Sequence, residues 1–136
     1  MKKLNRKGFT LIELLAVIVV LAIILVVTIP SVISSMNKAR EEQFKNAVAT
    51  VEDYMKKQID ACGLGDTSLV EYDTNIFTPD TCNIDTTKAS TIVANAGYTY
   101  GNDDSDFNSI VVTSAGKVTK AKAGADSKFN GESYNG

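Results

Sequence analysis

Hydrophobic and polar positions divide this 136-residue chain into three stretches of different rhythm. From Phe9 to Ile29 only Thr10, Glu13 and Thr28 interrupt an apolar run, and every residue from Leu14 to Val27 is apolar. As a helix the run would extend roughly 31 Å, about the thickness of a bilayer's hydrocarbon. Beyond Pro30 the pattern becomes periodic. Phe44, Ala47, Val48, Val51, Met55 and Ile59 follow one another at helical spacing, with Lys45, Asn46, Glu52, Asp53, Lys56 and Lys57 between them. One apolar stripe and one solvated face are the signature of a helix lying on a core. Gly63, after Cys62, offers a C-cap. The spacing therefore predicts one helix from about Phe9 to Ala61, roughly 80 Å long. A kink is expected at Pro30, which lacks an N–H and crowds the preceding turn.

From Leu64 the helical period is lost. Residues 64–88 read as a loop rich in Asp and Thr and containing Pro79. Strands are expected at Ala96–Tyr100, Ser109–Thr113 and Lys117–Ala121, the last two joined by a turn at Ser114-Ala115-Gly116. Ala125–Gly136 is polar and reads as a tail or a loosely packed edge. The expected fold class is α+β: a long N-terminal helix, membrane-embedded in its first half and packed in its second half against a small antiparallel sheet. The expected divisions are 1–8, a basic leader; 9–30, a transmembrane or filament-core helix; 31–62, its amphipathic continuation; and 63–136, the loop and sheet of a globular domain.

Charge sharpens the picture. Lys2, Lys3, Arg6 and Lys7 give the first eight residues +4, although the whole chain is formally −2. The remainder holds 10 basic and 16 acidic side chains, a net of −6. A basic tip, an apolar run and an acidic body describe a chain threaded through a membrane with its tip in the cytoplasm and its body outside. Cys62 and Cys82 would lie on the outer side, where a disulfide is the natural reading and would stabilise the domain by about 3 kcal/mol. Two free buried thiols are the alternative. With no histidine in the chain, no metal site is expected from two thiols alone.

Glu13 is anomalous, because a carboxylate in a membrane segment costs a few kcal/mol and needs a partner or a role. It lies four residues, about one helical turn, after Phe9. If the chain were cut after Gly8, the new α-ammonium of Phe9 in one helix could pair with Glu13 of a neighbour and set their axial register. A lone, protonated or snorkelling Glu is the bland alternative. Lys7-Gly8-Phe9-Thr10-Leu11-Ile12-Glu13, with its basic leader and long apolar sequel, closely resembles the prepilin peptidase site of the type IV pilin family. The resemblance covers roughly residues 5–45 and matches the rest only in plan. It implies cleavage between Gly8 and Phe9 by prepilin peptidase, N-methylation of Phe9, and the register role for Glu13. A secretory signal cleaved near Ser31-Val-Ile-Ser-Ser is the rival, and a glutamate within its apolar core argues against it. Similar pilins carry a proline at the Pro30 position, and the backbone there can loosen on assembly. This chain departs from them in having no glycine between Gly8 and Gly63, and in placing both cysteines early rather than near the C-terminus.

No catalytic arrangement is visible: a Ser/His or Cys/His dyad needs histidine, and no phosphate-cradling glycine loop occurs. No cofactor is expected. Asn102-Asp103-Asp104-Ser105-Asp106-Phe107-Asn108 alternates oxygen ligands like a calcium loop but lacks the central glycine and distal Glu of an EF-hand. A polar turn explains it as well. An acidic body is a poor nucleic-acid binder, although Lys117, Lys120 and Lys122 could form a basic patch in a filament. The expected role is a structural subunit of a type IV pilus for adhesion, twitching or aggregation. It would be inserted first in the cytoplasmic membrane and then assembled into an extracellular helical homopolymer. The implied partners are other copies, prepilin peptidase, the membrane, an assembly platform with a separate ATPase, and surfaces or other cells. The alternatives are a pseudopilin of a type II secretion or competence DNA-uptake apparatus, and a membrane-anchored binding domain that never polymerises.

Overall fold

A computed structural model of the chain describes residues 2–65 and 71–136, with side chains from Thr10 onward. The chain falls into two compact units, Met1–Lys38 and Ala39–Gly136. Helix α1, Lys2–Leu64, supplies the first unit and the opening of the second. Its capping glycine lies two residues beyond the expected Gly63. Gly63 is inside the helix, and Gly65 is the residue that takes the left-handed conformation (φ +66°) and donates its N–H to the Cys62 carbonyl at 3.1 Å. Glycine is preferred there because a Cβ is disfavoured at that φ.

In the second unit the expected stripe is the core. Phe44, Ala47, Val48, Val51 and Met55 are at most 1 % exposed, while Ile59 is half-buried. They share one cluster with Ile110, Val112, Val118 and Ala121 of the sheet and with Phe107 and Phe129. The sheet is antiparallel, in the order β1 (Ser109–Val112), β2 (Val118–Lys122), β3 (Ser133–Asn135). Register runs Ile110↔Ala121↔Tyr134 on the core side and Ser109↔Lys122↔Ser133 on the outer side. A bulge at Val111/Val112 leaves Thr119 as the extra residue of β2. The 113–117 turn closes on Thr113 N–H donating to the Lys117 carbonyl at 2.8 Å.

One expectation fails here. Ala96–Tyr100 is not a strand: helix α2 spans Ala89–Asn95 and buries Ala89, Ile92 and Val93. It ends at Gly97 (φ +96°), with Tyr98 N–H on the Val93 carbonyl and Gly97 N–H on the Ala94 carbonyl, a Schellman closure. Tyr100 makes only an isolated bridge to Phe107. Of the two forms expected for Ala125–Gly136, a tail or an edge, the chain takes the edge. Asn130 and Gly131 both take positive φ, 49° and 72°, reversing the chain so that Ser133–Asn135 pairs with β2. Gly136 N–H then donates to the Thr119 carbonyl at 2.8 Å, and Phe129 is 3 % exposed.

The connecting segment, read as a loop, has structure of its own in its described part; residues 66–70 lie outside the described residues. Asp73 caps a 3-10 turn at Thr74–Ile76 through the Asn75 N–H, and Asp85 caps another at Thr86–Lys88 through the Thr87 N–H, each at 2.9 Å. These bonds, to Asn75 and to the hydroxyl and N–H of Thr87, hold both carboxyls below the usual range. Phe77 bridges Ile84, and between them Cys82 forms a disulfide with Cys62 of α1, with Cα atoms 5.7 Å apart. Polar side chains complete the attachment to the helix. Glu52 accepts the Val118 N–H at 2.9 Å and Gln58 accepts the Asp73 N–H at 2.8 Å. Asn95 donates to the Tyr54 hydroxyl at 3.0 Å and to Asp73 at 2.8 Å, and burial pushes the Tyr54 hydroxyl up.

Candidate functional site: the apolar N-terminal helix

The first unit presents the opposite surface chemistry to the second. Leu11, Ile12 and Val26 are 71, 70 and 73 % exposed, and every side chain from Thr10 to Ala39 is exposed. The helix is long and apolar enough to cross a membrane. An apolar surface this large is not left in water; it requires lipid or the matching surface of other helices. The few polar groups within it are handled differently. Thr28 returns its hydroxyl to the Ile24 carbonyl at 2.9 Å, satisfying itself inside the helix. Glu13 has no such local solution, and among the described residues it makes no ion pair.

Glu13 stands between Ile12 and Leu14, one turn along the helical backbone from Phe9. Gly8 and Phe9, the expected cleavage and methylation positions, are described as helical backbone only. Helical backbone continues through Pro30. Its missing N–H leaves the Val26 carbonyl without its usual helical donor.

The remaining candidates lie in the second unit. Cys62 and Cys82 are paired as expected. The 102–108 segment uses its polar groups on itself. Asp103 accepts from the Asn108 amide at 3.0 Å, Asp106 accepts the Thr99 N–H at 3.2 Å and lies 3.5 Å from Lys128, and Ser105 accepts the Asn102 N–H at 3.2 Å. These bonds are those of a polar turn. Among the described residues no group of three or more acidic or cysteine side chains is gathered in a way that could hold a metal ion. Lys117, Lys120 and Lys122 are all exposed on or beside β2.

Sequence reasoning missed Glu52, whose carboxylate joins the helix to the first residue of β2. No local signal marks it, since it falls among the residues of the solvated face. Asn130-Gly131 was detectable, being a strong short-range turn signal for two successive positive φ values.

Residues 3–29 match the family model described as the prokaryotic N-terminal methylation motif. Comparisons with curated proteins and with solved structures give no match. The matched segment includes Gly8, Phe9 and Glu13 and ends one residue before Pro30. Residues 3–29 carry the signature of prepilin-processed type IV pilins and pseudopilins, structural subunits rather than enzymes, and in that segment the chain is pilin-like.

Proposed function

We propose that the chain is the structural subunit of a type IV pilus, matured by cleavage between Gly8 and Phe9 and methylation of Phe9. The observation that carries this reading is the uncovered apolar surface from Leu11 to Met36, broken by one carboxylate within the methylation motif. In the membrane the precursor's helix sits in lipid with its basic leader in the cytoplasm. Extraction into a filament exchanges lipid contacts for contacts with neighbouring helices, so little apolar surface meets water. Glu13 of one subunit accepts the α-ammonium of Phe9 in another. Two charges that are each unfavourable among apolar helices then neutralise one another, and only one axial offset allows it. Pro30 is the point at which the helix can bend or loosen as subunits pack. A separate ATPase supplies the work, through an assembly platform, and the globular units form the outer surface that meets other surfaces or cells.

Glu13→Val tests this. The globular unit should keep its disulfide and its melting behaviour, while the yield of surface fibres seen by electron microscopy should fall by about tenfold or more, since an unpaired buried ammonium costs several kcal/mol. Fibres of normal yield and length from the Glu13→Val chain would remove the register role. Deleting the chain separates the pilus from the pseudopilin reading. Loss of surface fibres supports the pilus; intact fibres with a secretion or transformation defect support a pseudopilin.

A further inference from the structure

In the second unit the described residues enclose a cleft of about 590 Å³ beside the Cys62–Cys82 disulfide. Tyr72, Phe77 and Pro79 form its apolar lining, Thr74, Asp80 and Thr81 bring polar groups, and none of the lining residues is basic. That volume lies in the range of small-molecule sites, which combine apolar surface with a few fixed polar groups. The frame is held from several sides. The disulfide ties Cys82 to α1, Thr78 donates its N–H to the Asn83 carbonyl at 3.0 Å, and the Thr78 and Thr81 hydroxyls bond to one another. Phe77 is buried, with the Tyr72 and Phe77 rings edge to face at 6.0 Å. The carboxylates of this segment are used unequally. Asp73 and Asp85 cap 3-10 turns, whereas the Asp80 carboxylate is exposed and makes no hydrogen bond or ion pair among the described residues. Asp80 also stands at φ +60°, where glycine would be the less strained residue. The turn therefore makes no use of its side chain.

We infer that this cleft binds a neutral saccharide, with Tyr72 as the surface for the C–H face of a pyranose ring and Asp80 as acceptor for two of its hydroxyls. The ligand class follows from the lining. A carboxylate with no cation beside it repels anions. An ionised carboxylate only accepts, and it can take two O–H donors at once; adjacent sugar hydroxyls supply them. The same ring offers an apolar face to an aromatic side chain. An amine is a poorer occupant, because an ion pair at an exposed carboxylate is worth little and Phe77 and Pro79 would stay uncovered. A purely apolar ligand would strip water from Asp80 and return no hydrogen bond. The cleft belongs to the second unit alone and stands independently of the polymer reading. A polymer would repeat it along the fibre, so that weak single contacts add up to avidity.

The test titrates the oxidised, isotope-labelled full chain, in micelles of a sugar-free detergent, with the methyl glycosides of glucose, galactose, mannose and N-acetylglucosamine and with lactose. At least one sugar should move the amide signals of Asn75, Asp80 and Thr81 saturably, with a Kd on the order of 1 mM. Asp80→Gly removes the carboxylate and suits the backbone, so it should keep the melting curve of the parent and weaken binding by about tenfold or more. Tyr72→Ala should weaken binding as well, while Tyr72→Phe, which keeps the ring, should retain most of it. No saturable response to any of these sugars at about 100 mM would overturn the inference. Undiminished binding by the Asp80→Gly or Tyr72→Ala chain would overturn it too, because the sugar would then sit elsewhere. So would n-butylammonium moving the same amides when no sugar does, which points to an amine site. Fibre yield does not enter this readout, so its failure leaves the polymer reading standing.

Discussion

Phe44→Ala separates the two kinds of apolar residue on helix α1. Phe44 is 1 % exposed, and its ring lies 5.3 Å from Phe107 and 5.4 Å from Phe129, both tilted. It therefore holds the 102–108 turn and the C-terminal turn to the helix at once. Removing the ring forfeits about 2–3 kcal/mol of transfer energy and two aromatic contacts of about 0.5–1.5 kcal/mol each. A net loss of about 4 kcal/mol is expected, within the usual range for a buried Phe→Ala change. For a unit of this size that corresponds to a fall in melting temperature of about 16 °C or more. The assay is thermal unfolding of the oxidised full chain in detergent micelles, followed by near-ultraviolet circular dichroism of its tyrosines. Val26→Ala is the control: at 73 % exposure it touches no core, and its effect should stay within about 0.5 kcal/mol. A Phe44→Ala loss below about 1 kcal/mol, or a Val26→Ala loss as large as that of Phe44→Ala, would refute the division of the helix into a folded and an unpartnered part.

Replacing Cys62 and Cys82 together by Ser, which opens a loop of sequence separation 20, should lower unfolding stability by about 3 kcal/mol. Reductant should then change the parent but not the variant; an unchanged parent would count against the staple. The carboxyls of Asp73 and Asp85 are lowered from 3.8 by the N–H and hydroxyl bonds they accept in the fold. Their contribution is thus fully present above about pH 4 and is lost as pH falls through the lowered values. Changing both to Asn should flatten the acid limb of a stability-versus-pH curve, and an identical limb would exclude them as its source. Gly124→Ala should cost about 3 kcal/mol by overpacking, because a Cβ there would collide with the backbone carbonyl oxygens of Asp103 and Ser105. A neutral Gly124→Ala in denaturant titration would contradict that contact.

The parts of the fold that were legible in the sequence are those set by one repeated signal. The long apolar run and the three-and-four spacing from Phe44 to Ile59 each repeat over many residues, so chance matches are few, and the core stripe follows directly. The β1–β2 hairpin was readable within one residue because Gly116 (φ +82°) sits in a short turn between two β-forming segments. Helix α2 was hidden by its length. Ala89–Asn95 spans barely two turns, too few for a period, and no element was expected there. The bond from Glu52 to the Val118 N–H joins positions 66 residues apart, a pairing that only the tertiary arrangement creates. β3 is specified less by Ser133-Tyr134-Asn135 than by the Asn130-Gly131 reversal and by burial of Phe129, so a polar composition disguised a paired edge. In the N-terminal segment the motif was legible from the sequence alone, because Gly8, Phe9 and Glu13 stand at fixed short spacing within residues 3–29 and need no tertiary contact to be recognised.

The most direct measurement is the intact mass and N-terminal fragmentation of the protein sheared from the cell surface. The expected chain begins at Phe9 with a methylated amino group, leaving an ammonium where Glu13 of a neighbour can meet it. A chain beginning at Met1, or near Ser31, would contradict peptidase processing and remove the partner on which the assembly mechanism depends.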